Sequence, residues 1–162
     1  MAANSSTTPF PNPAIPYRAN DFSLKLYEEW EDKTIYTVTG PVTDEMQHNL
    51  IISVDKEVQV TTLRDYADWN VDSVLGELRA CRLLKQDQAK LSNGLPAYRA
   101  IFSWWPSDNL RVYLEQIYLL AGKTGFKLTA TFSKKTRRTL GPAVEKMMLS
   151  FTPGPDAQKR DK

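Results

Sequence analysis

A single histidine, His48, and a single cysteine, Cys81, are the two side chains best suited to act as a base or a nucleophile. A catalytic triad needs a recognisable nucleophile beside the histidine, and none accompanies His48, which we place at the surface in a hairpin turn. Cys81 follows a predicted helix end, where the dipole disfavours a thiolate, so we expect a small buried residue. One cysteine also excludes an intramolecular disulfide and a cysteine-based metal cluster. We therefore predict a protein that is not an enzyme and that uses no metal or cofactor.

Two charged clusters could bind ions. Residues 28–32 carry four acidic groups, but cation ligands must converge, which a short linker rarely allows, so we predict a solvated turn. Residues 134–138 carry four basic groups without interleaved aromatic residues, and we interpret this segment as a solvated loop. The net charge of +2 is also far from that of a typical nucleic-acid binder. A phosphate or nucleic-acid site at residues 134–138 remains a hypothesis, which predicts a steep salt dependence of binding.

Hydrophobic periodicity indicates the elements that would position any such site. Residues 95–132 contain three runs rich in aromatic and β-branched residues, separated by turn-forming segments at 106–109 and 122–125. Alternating patterns predict earlier strands at 22–26, 34–39 and 49–54, and residues 81–91 indicate a strand or an edge segment. Helical periodicity predicts a helix at 62–78, where Thr62 and Asp65 resemble a capping box, and a second helix starting near Thr139. The order β-β-β-α-β-β-β-β-α predicts an α+β domain, a mostly antiparallel sheet with two main helices packed on one face.

Composition suggests how the 162 residues are organised. Residues 1–16 contain four prolines among Ser, Thr and Asn and are predicted to be a disordered arm. We expect a single domain at 17–152 and a disordered tail at 153–162. The first residues lack the basic and apolar regions of a secretory signal, and no stretch approaches the roughly 20 apolar residues of a membrane span. We therefore expect a cytoplasmic protein that does not insert into membranes.

The face of the sheet turned away from the helices is the predicted functional surface. Because successive strand residues point to opposite faces, Leu128, Ala130 and Phe132 would face the helices, while Lys127, Thr129 and Thr131 would face away. Both parities of residues 110–120 are apolar, so the sequence leaves open which of them is free. A surface of aliphatic, hydroxyl and amide groups suits an apolar helix. The predicted binding residues are Ile35, Thr37, Thr39, Ser53, Arg99, Ile101, Ser103, Leu114, Gln116, Thr129 and Thr131. A homodimer interface is a compatible use of this face.

Several segments resemble the DcrB-related family. They are Phe22-x-Leu24 followed by Trp30-x-Asp32-x-Thr34, the acidic and apolar helix near residues 63–78, the LTATFS strand, and the closing Met148-Leu149-Ser150-Phe151. The resemblance covers about residues 17–152, and its motifs are structural and not catalytic. One departure is Leu26-Tyr27, where relatives often carry Leu-Pro. The resemblance implies a PsbP-like fold, an antiparallel sheet with helices packed on it.

Members of this family without an export signal are similar to the Eag chaperones of type VI secretion. This resemblance implies a dimeric chaperone that holds the apolar N-terminal transmembrane helices of a secreted effector, such as an Rhs-type toxin. Through that effector it would act indirectly on the secretion spike protein. The alternative is a general interaction module that binds a soluble partner through the same sheet.

Overall fold

A computed structural model of the protein describes residues 15–19, 21–155 and 157. The chain divides into two units, residues 1–32 and residues 33–162. The described part of the first unit contains an antiparallel hairpin of β1 (Ile15–Arg18) and β2 (Ser23–Leu26). Residues 15 and 16, which we predicted to be disordered, thus belong to a strand. The rest of the predicted arm, and most of the predicted tail at 153–162, lie outside the described residues.

The second unit contains the remaining strands and helices. They are β3 (Ile35–Thr43), β4 (Met46–Asp55), α1 (Leu63–Glu77), β5 (Arg82–Lys90), β6 (Pro96–Ser107), β7 (Leu110–Ala121), β8 (Thr124–Phe132), α2 (Lys134–Thr139) and α3 (Gly141–Leu149). The six strands form one antiparallel sheet in the order β3-β4-β8-β7-β6-β5. The predicted α+β class and the predicted order of elements are confirmed.

Local chemistry explains where these elements begin and end. The Thr62 hydroxyl accepts a hydrogen bond from the backbone N–H of Asp65 at 3.1 Å, so α1 starts at its predicted cap. Gly94 and Gly122 have φ values of 90° and 61° in two hairpin turns, a conformation that glycine adopts without steric cost. The predicted strand triad therefore forms as three neighbouring strands, β6, β7 and β8.

The helices pack on opposite faces of the sheet, so the prediction of one shared face is wrong. Helix α1 buries Tyr66 and Val74 in a cluster that includes Tyr118 of β7. Met148 of α3 lies in a second cluster that includes Ile117 of the same strand. Adjacent strand residues point to opposite faces, which places the two clusters on different sides. Strand β7 is apolar on both sides because the chain's own helices cover both.

The basic run at 134–138 is helical, which corrects the predicted loop. It lies in α2, which begins with a capping box: the Ser133 hydroxyl accepts from the Thr136 N–H, and the Thr136 hydroxyl accepts from the Ser133 N–H. The guanidinium of Arg137 lies 4.9 Å from the ring centroid of Tyr113, and Lys135 Nζ lies 3.6 Å from Asp44. Part of this charge therefore holds α2 against the sheet.

Candidate binding surface

The sheet separates the predicted binding residues into two groups. Residues paired across antiparallel strands share a face. The pairs Ile35↔Ser53, Ser53↔Lys127, Thr129↔Gln116 and Thr131↔Leu114 place the first group on the face that α1 packs against. This group consists of Ile35, Thr37, Thr39, Ser53, Leu114, Gln116, Thr129 and Thr131. The second group, Arg99, Ile101 and Ser103, pairs with the other parity of β7 and lies on the face covered by α2 and α3.

Helix α1 covers only half of its face. It packs on β5, β6 and β7, where Leu114 and Gln116 are buried. The other half, over β3, β4 and β8, is more accessible: Ile35 is 62% exposed and Ile51 36% exposed. We call this area the open floor. It consists of Ile35, Thr37, Thr39, Asn49, Ile51, Ser53, Lys127, Thr129 and Thr131.

The predicted binding set lacked three floor residues: Lys127, which alternation did place on this face, and the β4 residues Asn49 and Ile51. Asn49 and Ile51 precede Ser53 at intervals of two in β4, and Ile51 pairs with both Thr37 and Thr129. The same alternation that identified Ser53 could have found them. With Ile51 included, an aliphatic side chain lies at the middle of the floor and strengthens its apolar character.

A cleft borders the floor where it meets α1. Its volume is about 170 Å³, and its wall includes the buried ring of Tyr66 and the accessible indole of Trp69, which is 59% exposed. The full lining is Lys33, Thr34, Ile35, Ser53, Val54, Asp55, Tyr66, Trp69, Asn70 and Lys127. Tyr66 comes close to the sheet because Gly125 of β8 lacks a side chain. The floor therefore ends in a concave corner with aromatic and charged groups.

A hydrogen-bond chain leads from the buried core to the floor. Tyr118 Oη donates to Gln116 Oε1 at 2.6 Å, and Gln116 Nε2 donates to Thr129 Oγ1 at 3.0 Å. Burial raises the pKa of Tyr118 far above its usual range, so its hydroxyl keeps the proton that it donates. Because the Thr129 oxygen already accepts from Gln116, its own O–H is directed to other acceptors. Thr129 can thus offer a hydrogen-bond donor to a molecule on the floor.

The opposite face holds an internal ion-pair cluster. Arg99 donates to Asp87 with Nε–Oδ1 and Nη2–Oδ2 distances of 3.1 and 2.9 Å, and it also pairs with Glu145 of α3. The hydrogen bonds from Arg99 lower the pKa of Asp87 below its usual range. Burial, together with the neighbouring Glu145 carboxylate, raises the pKa of Glu115 to about 7. These contacts tie α3 to the sheet and make Arg99 part of the internal packing.

Ser103 and His48 are also internal on this face. Ser103 is 1% exposed, and its hydroxyl accepts from Arg111 Nη2 at 3.2 Å, so it is unsuited to contact a guest. His48, which we predicted to lie at the surface, is buried beside Phe132 with a ring-centroid distance of 6.2 Å. Neither ring nitrogen of His48 has a hydrogen-bond partner among the described residues.

Burial raises the pKa of the Cys81 thiol, which disfavours the thiolate there.

Two further observations concern the described residues only. None of their helices combines the length and the apolar character that crossing a bilayer requires. Within the same part of the chain, His, Cys, Asp and Glu side chains do not gather in groups of three or more that could hold a metal ion.

The architecture is that of an α+β protein whose mainly antiparallel sheet carries helices on both faces. The sequence model of the DcrB family matches residues 22–150, and the chain belongs to this family. Among solved structures, it is similar to PA94 from Pseudomonas aeruginosa, a protein of unknown function whose description suggests a regulator. The identity is 19% and the TM-score 0.69, over 89% of this chain and 99% of that one, which is evidence for the fold alone. No curated protein matches the chain significantly.

Proposed function

We propose that the protein is a non-enzymatic chaperone whose open floor shelters an apolar helix of a partner protein. The observation that carries the proposal is the floor itself, in which Ile35 and Ile51 lie exposed among hydroxyl and amide groups. Family membership and this exposed apolar surface support the coarser conclusion that the protein acts by binding another protein.

The resemblance to Eag chaperones supplies the finer proposal. The guest is the N-terminal transmembrane segment of a type VI secretion effector, held in the cytoplasm by a homodimer until the effector is loaded on the secretion spike. Each leucine-sized side chain that moves from water onto the floor contributes about 1.5–3 kcal/mol before ordering costs. Three such side chains would contribute roughly 5–9 kcal/mol on that scale, enough to compete with aggregation.

A matched pair of substitutions on one strand tests the floor. Ile35 faces the floor, while its neighbour Tyr36, which is 47% exposed, faces the other side of β3. The co-expressed guest is the N-terminal helices of the effector encoded beside this gene. Ile35→Asp combined with Ile51→Asp should abolish co-purification of this guest with the protein. Tyr36→Asp should leave it intact. Light scattering would first verify that the variants keep the oligomeric state of the wild type.

Two results would contradict the proposal. If the double floor variant still retained the guest, the floor would not be the binding surface. If an effector whose transmembrane helices were replaced by a polar linker still bound, the protein would be a module for soluble partners. Ile101 and Ser103 are poor positions for this test because both lie on the face opposite the floor. Ser103 is also buried, so Ser103→Arg would disrupt the fold itself.

A further inference from the structure

Lys127 is the single charged residue of the open floor. It lies on β8 between Ser53 of β4 and Tyr118 of β7, and its side chain is half-buried. Among the residues that the structure describes, it has no ion-pair or hydrogen-bond partner. A guest that covered the floor would withdraw this ammonium group further from water, which is costly unless the guest supplies negative charge or acceptors.

Positive charge is concentrated at one end of the floor. Lys127 and Lys33 both line the cleft, where Asp55 is the single acidic residue. The opposite end of the floor is formed by Thr39, Asn49 and Thr131, which are uncharged. The floor therefore distinguishes the two ends of any elongated guest.

An α-helix also has two different ends. Its last four carbonyl groups lack partners within the helix, and the aligned peptide dipoles place about half a negative charge there. Its first turn carries unpaired N–H groups and the corresponding positive charge, which Lys127 would repel. From this complementarity we infer that the guest helix lies with its C-terminal end over the cleft, where Lys127 meets its terminal carbonyls. The inference rests on the proposed function and adds the polarity of the guest.

Disulfide cross-linking to a model helix tests this polarity. In a full-length Cys81→Ser background, Ser53→Cys marks the cleft end and Thr39→Cys the opposite end, about 13 Å apart at 3.3 Å per strand residue. The probe is an 18-residue peptide of leucine, alanine and serine with acetyl and amide ends and a single cysteine, at peptide position 4 or at peptide position 15. These two positions lie on one face of the helix, about 16 Å apart along its axis, close to the spacing of the two strand positions. The peptide with its cysteine at position 15, near the C-terminus, should cross-link about two- to fivefold more at position 53 than at position 39. The peptide with its cysteine at position 4 should show the reverse preference.

Lysine variants test whether the charge of Lys127 causes the cross-linking preference. Lys127→Met should remove the preference while cross-linking persists, whereas Lys127→Arg should retain it. Lys123→Met, in the exposed turn before β8, is the matched control and should behave as wild type. A reversed or absent preference in the wild type, or an unchanged one in Lys127→Met, would overturn the inference and leave the proposed function standing. If neither position cross-linked, the proposed function would fall and the inference with it.

Discussion

Replacing Gly125 by alanine tests the contact that sets α1 against the sheet. A Cβ atom at this position would lie 2.6 Å from Oη and 2.8 Å from Cε1 of Tyr66. Real Cβ atoms essentially never approach other heavy atoms so closely, so one of the two elements must move. Tyr66 is 2% exposed and packs among buried residues, which leaves its ring little room to turn away.

The expected loss follows from two opposing effects. Overpacking a well-packed site costs about 1–3 kcal/mol, while removing the chain entropy of a glycine returns roughly 0.5–1 kcal/mol. We therefore expect Gly125→Ala to lower the free energy of unfolding by about 1–2 kcal/mol. With a urea m-value of about 2 kcal/mol/M, the unfolding midpoint would fall by roughly 0.5–1 M.

Urea denaturation followed by circular dichroism measures this shift, and Gly76→Ala is the control. Gly76 lies inside α1, and its added methyl would have no neighbour within 4 Å. Alanine there should raise the free energy of unfolding by about 0.5–1 kcal/mol, since it favours the helix. If Gly125→Ala were as stable as the wild type, the close contact with Tyr66 would be refuted. If both variants lost stability equally, the loss would reflect glycine replacement in general.

Three further predictions concern stability. Because the folded pKa of Glu115, about 7, exceeds its ordinary value of 4.5, the stability from its proton should fall as pH rises from 5 to 8, by up to about 3 kcal/mol; Glu115→Gln should flatten this urea-midpoint profile. Arg99→Met should leave the Glu145 carboxylate without its cation and Asp87 with only the more exposed Lys85, whose Nζ lies 3.5 Å away, and should cost about 2–3 kcal/mol at pH 8 but less at pH 5; an equal loss at both values would contradict the ion-pair account. Thr62→Ala should cost about 1 kcal/mol and Thr62→Ser much less; equal unfolding midpoints would exclude the cap.

Local patterns predicted most of the elements because they depend on neighbouring residues. Turn chemistry located the hairpins that join β6, β7 and β8, and Thr62 marked the start of α1. The signal for α2 was also local, since Ser133 and Thr136 are spaced as capping residues, but the basic run at 134–138 drew the interpretation towards a loop. These turns and caps could therefore be predicted because each depends on residues only three or four positions apart in the sequence.

The pairing of faces could not be predicted in the same way. Alternation within β6 places Phe102 and Ile101 on opposite faces, but only the register with β7 shows that Phe102 is the one on the face of Thr129. Strand β7 is apolar on both sides, so its own pattern cannot choose between the faces. The assumption that both helices lie on one side then placed Ile101 and Ser103 on the open surface, although they lie on the face that carries α2 and α3, where Ser103 is buried.

The strand order has a consequence for how the protein folds. Strands β5 to β8 form a meander in which each strand pairs with its neighbour in sequence, whereas β4 must find β8 across the whole intervening chain, Leu50 opposite Ala130. Closing so long a loop is slow, so we expect the meander to form first and the β3–β4 hairpin to dock last and open first. That hairpin carries most of the open floor. Hydrogen exchange should therefore be faster in β4 than in β6, and a bound guest helix should slow it chiefly in β4. The guest would thus stabilise the outer β3–β4 hairpin, which is the last part of the sheet to become stable.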